Sequence, residues 1–314
     1  MLVDKKLIAA VVALASATVS AKGSFGFDLG VVDNDDNCKD ADDYIADLDA
    51  ISGYTSHVKT YAVSDCNTLQ ILGPVLEDKG FTITLGVWPT DDNHFDEEIS
   101  ALQSYLPTIS KSVISEITVG SEVLYRGDLT ADQLASKITQ VKSTISSITD
   151  KNGDSYSDIP VGTVDSWNCL VDSSAVDAIT ASDFVFANAF SYWQGQTLAN
   201  ASFSFFDDIM QALQVIQTAK GSTDILFAVG ETGWPTQGTS YGDAVPSTAN
   251  AQTFFEQGVC AMLGWGVDVI YFEAFDEPWK AGGSGTADVE PYYGAFDDTR
   301  TLKFPLTCNY TGSS

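Results

Sequence analysis

Two glutamates stand where a carboxylate needs a reason to be. Glu122 lies in Thr118-Val119-Gly120-Ser121-Glu122-Val123-Leu124-Tyr125-Arg126, and Glu231 in Val229-Gly230-Glu231-Thr232-Gly233-Trp234-Pro235-Thr236. Each follows an apolar run and a small residue, a setting in which burial has to be matched by a partner or a task. A pair of carboxyls can break an acetal: one, protonated, gives its proton to the leaving oxygen while the other attacks the anomeric carbon, at a separation of about 5 to 5.5 Å when configuration is retained. We assign Glu122 as acid/base and Glu231 as nucleophile. The competing reading of either residue alone is an ion pair, for Glu122 with Arg126, and two such residues together weaken it.

Other residue types point the same way. Glu273-Ala274-Phe275-Asp276-Glu277-Pro278-Trp279-Lys280 forms a third charged cluster, in which Lys280 could hold a sugar hydroxyl and, with Glu273 or Glu277, tune the nucleophile's charge. A salt-bridge network is the plain alternative. Pyranose rings present apolar CH faces to flat aromatic surfaces, and Trp88, Trp167, Trp193, Trp234 and Trp279 all fall near the ends of apolar runs, as do Tyr61, Tyr125 and Tyr192. Trp265 sits in a helical stretch instead. There is no GxSxG elbow and no phosphate loop, and with no CxxC or His-rich spacing and His57 and His94 the only histidines, a structural zinc site is not expected.

The elements that must position these residues are short β-rich runs separated by helical stretches. Eight strands are expected, at 24–31, 57–63, 81–88, 116–122, 159–164, 183–190, 225–231 and 267–275, continuous in apolar character as strands covered on both faces should be. Leu134, Ile138, Val141, Ile145 and Ile148 make one helical stripe; Ile99, Leu102, Leu106, Ile109 and Val113 make another, and Ile209, Leu213 and Ile216 a third. Eight strand–helix units close a single (β/α)8 barrel, whose active site lies at the carboxyl ends of the strands. Glu122 then ends the fourth strand and Glu231 the seventh, on opposing walls. An open doubly wound sheet would bring a Gly-rich loop after its first strand, whereas this chain has an Asp-rich one.

Residues 1–21 read as a secretory signal, with Lys5 and Lys6 before an apolar run and Val19-Ser20-Ala21 at the expected cleavage point; residues 22–314 form the catalytic domain. Thr311 to Ser314 lack the hydrophobic end of a lipid-anchor signal, so no such anchor is expected. The net charge of −28 argues against nucleic acid and for a neutral partner. By our count 33 of the 43 acids are Asp, most of them expected as solvated surface or helix caps. Five cysteines leave one unpaired in a secreted chain. Asn200 and Asn309 each begin a sequon.

The chain resembles the yeast and fungal cell-wall members of glycoside hydrolase family 17, which are β-1,3-glucan hydrolases and glucanosyltransferases. The resemblance runs through nearly all of residues 22–314. It is carried by Lys59-Thr60-Tyr61-Ala62, Gly86-Val87-Trp88-Pro89-Thr90-Asp91-Asp92, Val119-Gly120-Ser121-Glu122, Asp165-Ser166-Trp167-Asn168, Ser191-Tyr192-Trp193-Gln194-Gly195-Gln196 and Gly230-Glu231-Thr232-Gly233-Trp234-Pro235-Thr236. It implies a retaining barrel enzyme with the roles given above for Glu122 and Glu231, no cofactor, and Glu277 and Lys280 in the cleft; the expected location is secreted, at the cell wall, and the expected state a monomer without a membrane anchor. Ser121 stands where related barrels often carry an Asn that binds a sugar hydroxyl, and Asp28 replaces an Asn, placing a charge near the cleft. Cys169 occupies an aliphatic position, which leaves Cys38 to pair with Cys66 and Cys260 with Cys308. Water or a second glucan chain could release the glucan, and a wall-bound glucan-binding protein that cuts nothing is the rival reading.

Overall fold

The computed structural model describes residues 22–280 and 285–308. The expected leader at 1–21 and the sequon at Asn309 lie outside them. Eight parallel strands pair in chain order and close on themselves. They are β1 (Phe25–Asp28), β2 (His57–Lys59), β3 (Thr82–Val87), β4 (Ile114–Ser121), β5 (Val161–Ser166), β6 (Val185–Asn188), β7 (Ala228–Thr232) and β8 (Asp268–Tyr271). The barrel expected from the alternation of runs is the one observed. Around it lie α1 (Ala41–Ile51), α2 (Thr68–Lys79), α3 (Asp92–Tyr105), α4 (Ala131–Ser146), α5 (Trp167–Leu170), α6 (Val176–Ala181), α7 (Leu198–Lys220), α8 (Thr248–Phe254) and α9 (Cys260–Gly264), the last two joined by a π-helical turn at Phe255–Val259. No helix among the described residues is long and apolar enough to cross a membrane.

Local chemistry explains where these elements begin. Asp40 caps α1 in a reciprocal box with Asp43, Asp91 caps α3, and Thr130 caps α4 in a box with Gln133, so several of the many aspartates satisfy orphan helix N–H groups. The α4 stripe packs as its spacing requires over Leu134, Ile138, Val141 and Ile145, all buried, while Ile148 lies beyond the end of the helix. The second stripe is corrected. α3 ends at Tyr105, and Pro107, which has no N–H to continue the ladder, turns Leu106–Thr108 into a 3-10 segment. Leu106, Ile109 and Val113 therefore lie outside α3, and its buried face is Phe95, Glu98, Ala101 and Leu102, with Ile99 at the edge.

Most strands are shorter than the apolar runs that contain them, because the last residues of a run become the loops of the cleft. After β2, Val63 N and Ser64 N donate to the buried Glu98 carboxylate, which also takes Trp88 N at 3.0 Å. One acid from α3 thus ties the loops after β2 and β3 together. Cys38–Cys66 and Cys260–Cys308 are disulfides, and Cys169 is free. Burial pushes the Cys169 thiol up to about 11, so it is a poor nucleophile. The Cys38–Cys66 bond joins the loops after β1 and β2, and replacing both residues by Ser is expected to lower stability by about 2–5 kcal/mol. Urea unfolding of the double variant against the parent protein measures this.

Candidate active site

Glu122 follows β4 directly, and Glu231 is the next-to-last residue of β7. The end of β4 is bent to deliver its acid. Gly120 has φ +81°, where a Cβ would come within 2.9 Å of the Val123 side chain, and Glu122 itself sits at φ +55°, a conformation costly for a residue with a side chain. The backbone beyond is held by Asp165 of β5, whose carboxylate takes Leu124 N at 2.8 Å and Tyr125 N at 3.2 Å. Strand register brings in the next partner: Asn188 of β6 is level with Glu231, and its Nδ2 donates to Glu122 Oε1 at 3.1 Å. Burial, and then the charge of Glu231, push the Glu122 carboxyl up to about 7. Half-protonated near neutrality, it is suited to giving and taking a proton. Arg126 is not the salt-bridge partner of Glu122: its Nε donates to Asp128, its guanidinium lies 4.8 Å from the Trp88 ring, and its charge is the last of the influences on the Glu122 carboxyl.

Glu231 is held from the other side. Its Oε1 accepts from Lys59 Nζ at 2.9 Å and from Ser121 Oγ at 3.1 Å, while Oε2 takes no hydrogen bond from the described residues. Ser121 therefore orients the Glu231 carboxylate in this structure. Burial opposes the charge on Lys59, but Asp28 and Glu231 outweigh it and hold the ammonium above the ordinary lysine range. One carboxylate oxygen pinned by a cation and a hydroxyl, with its twin free, is the arrangement that a nucleophile needs.

The two carboxyls line both arms of one cleft. One arm, a cavity of about 430 Å³, is bounded by Tyr61, Trp88, Ser121, Glu273, Glu277, Trp279 and Lys280. The other, about 610 Å³, is bounded by Tyr125, Trp167, Phe190, Trp193, Phe272 and Glu290. Most of the residues proposed from sequence thus come together. Lys280 donates to Glu273 Oε1 at 3.0 Å and pairs with Glu277 Oε2 at 2.6 Å, so it is engaged within the cluster after β8, and the cation on Glu231 is Lys59. Burial first, and then the charge of Glu277, raise Glu273 well above the carboxylate range.

Three residues expected against sugar are placed elsewhere. Trp234 is fully buried, with Nε1 donating to the Val245 carbonyl at 3.0 Å, and the equally buried Tyr192 stacks edge-on against it and donates to the Thr239 carbonyl. Both brace the wall from behind. Asp28, 1% exposed, lies beneath Lys59 and out of reach of a ligand. Conversely, Lys59, Asn188, Asp165 and Glu290 were not singled out from sequence. A lysine inside the apolar run His57-Val58-Lys59 and an Asn at the end of 183–190 were available signals; Glu290 carried none. Asn200 is exposed in the first turn of α7.

Residues 25–308 match the model of glycosyl hydrolases family 17. The chain is 58% identical over 296 residues to a glucan 1,3-beta-glucosidase of Saccharomyces cerevisiae, covering 94% of this chain and 95% of that protein. It is 55% identical over 293 residues to a glucan 1,3-beta-glucosidase of Candida albicans, covering 93% and 95%. Among solved structures, a family 17 beta-1,3-glucanosyltransferase of Rhizomucor miehei superposes with a TM-score of 0.77 at 29% identity, covering 91% of this chain and 98% of that one.

Proposed function

The chain belongs to glycosyl hydrolase family 17, and on that premise we propose that it opens internal linkages of β-1,3-glucan by double displacement, with Glu231 as nucleophile and Glu122 as acid/base. The observation that carries this reading is that both carboxyls line both arms of the cleft, so a chain lying along it presents an internal bond to the pair. Glu231 Oε2 attacks the anomeric carbon as Glu122 protonates the leaving oxygen, giving a glucosyl ester on Glu231. Glu122, now a carboxylate, then takes a proton from water or from a hydroxyl of a second glucan, and the ester is released. Water as acceptor shortens the chain; a glucan acceptor held by Trp167, Trp193 and Tyr125 remodels it. Two disulfides suit the oxidising environment outside the cell, which supports a secreted enzyme with residues 1–21 as its leader.

Incubation with end-labelled laminari-oligosaccharides tests the proposal. Shorter labelled products together with products longer than the substrate are expected. Retention of the oligosaccharide without any change in length would favour the glucan-binding reading and end this one.

The acid/base role also sets a pH limb. Glu122 must be protonated to act in the first step, so its contribution is present below about 7 and is lost as pH rises through that value. Above it, kcat/KM on an unactivated oligosaccharide is expected to fall about tenfold per pH unit. A kcat/KM profile measured across neutrality checks the position of that limb.

A further inference from the structure

Six carboxyl groups crowd the base of the cleft, Asp28, Glu122, Glu231, Glu273, Glu277 and Glu290, and two ammonium groups lie among them, Lys59 and Lys280. Each lysine is shared by two carboxyls: Lys280 by Glu273 and Glu277, Lys59 by Asp28 and Glu231. If every group were ionised, each set would hold a surplus negative charge out of water. In the Lys59 set that surplus would be confined among side chains 0%, 1% and 9% exposed. A surplus charge at such depth is removed by protonating one of the acids.

Geometry says which one. Glu231 takes a second hydrogen bond from Ser121 and borders the cleft. Asp28 does not border the cleft, and the one further group beside it, the Tyr61 hydroxyl, is outweighed by its burial. It accepts from Lys59 through Oδ1, while Oδ2 is buried beside the Tyr61 hydroxyl, and neither of those two atoms has another partner. The register of the barrel holds the arrangement in place, since Asp28 and Lys59 are direct neighbours across β1 and β2, and the Tyr61 ring lies 4.4 Å from Nζ.

We propose that Asp28 keeps its proton in the working enzyme and acts as a neutral anchor for Lys59, so that the whole charge of the ammonium is committed to Glu231. Asp28 is then a positioning residue, acting through Lys59, and the inference rests on Glu231 being the nucleophile. Burial, opposed by Lys59 and reinforced by Glu231, raises the Asp28 carboxyl to about 8, in keeping with a group that stays neutral through the working range. The other charged groups at the base of the cleft are Glu122, Glu273, Glu277, Glu290 and Lys280, and the acid whose charge presses on Asp28 to hold its proton is Glu231.

The infrared difference spectrum between the parent protein and Asp28→Asn at pH 6 tests this directly. It is expected to contain the C=O stretch of a protonated carboxyl, whereas carboxylate bands in its place would overturn the proposal. Kinetics give a second reading. Asp28→Asn keeps a neutral acceptor for Lys59 and is expected to hold kcat within about threefold of the parent at pH 6. Asp28→Leu, which removes the anchor, is expected to lose at least tenfold in kcat with KM changed less than threefold. An Asn variant as impaired as the Leu variant would mean that the charge of Asp28 is needed, and would also overturn the proposal. If the Leu variant does not fold, the spectrum and the Asn variant decide. Glu231→Gln assayed alongside separates the two claims: if it stays active, the nucleophile reading fails, and if it is inactive while Asp28→Asn behaves otherwise than expected, only the role of Asp28 fails.

Discussion

Glu231→Gln is expected to lower kcat on a β-1,3-gluco-oligosaccharide by at least about 10⁴-fold, equivalent to about 5.5 kcal/mol of transition-state stabilisation. The amide keeps the shape of the carboxylate and can still accept from Lys59 and Ser121 through its oxygen, but it cannot form the ester on which the reaction depends. Because the arms of the cleft are untouched, the dissociation constant for the oligosaccharide is expected to stay within about tenfold. Stability should not fall. With residue 231 uncharged, Asp28 can give up its proton and pair with Lys59 in its place, so the buried ammonium keeps a counter-charge. Steady-state assays, calorimetric binding and a melting curve on the same preparation measure all three, and retention of more than a hundredth of the activity would remove Glu231 from the role.

Glu122→Gln is expected to behave differently according to the leaving group. On unactivated oligosaccharides, where proton donation is needed, the loss is expected to be about 10²- to 10⁴-fold. On a dinitrophenyl glycoside the departing phenolate needs no proton, so the first step should survive while the second, lacking its base, becomes slow. A burst of phenolate equal to the enzyme concentration, followed by slow turnover, is the expected trace. The variant should also lack the limb near pH 7, because the group that titrates there is gone. Equal losses on both substrates would show that Glu122 does not act as the proton donor.

How much of this could be read from the chain depends on how far apart the responsible residues are. The eight strands were legible because a strand covered on both faces must be apolar throughout, and Glu122 and Glu231 stood out as acids closing such runs. The short reach of β2 was not, because the residues that end it as a strand answer to Glu98, more than thirty positions away. Lys59 shows the same limit more sharply: its partners lie 31 and 172 positions distant, and only barrel closure makes them neighbours. The aromatic residues divide on orientation. Trp193 and Trp234 have similar local settings in sequence, yet Trp193 borders the cleft while Trp234 is turned onto Phe254 and Tyr192 behind it. The end of α3 is legible in the chain, since Pro107 lies inside the apolar stripe and cannot continue the helical ladder.

The covalent intermediate is the centre of this account, and trapping it is the most direct measurement. A 2-deoxy-2-fluoro-β-laminaribiosyl fluoride slows release from the enzyme more than formation of the ester, so incubation followed by peptic digestion and mass spectrometry should find one sugar adduct, on the peptide containing Glu231. Absence of any adduct, together with products of inverted anomeric configuration, or an adduct on another carboxyl, would contradict the mechanism.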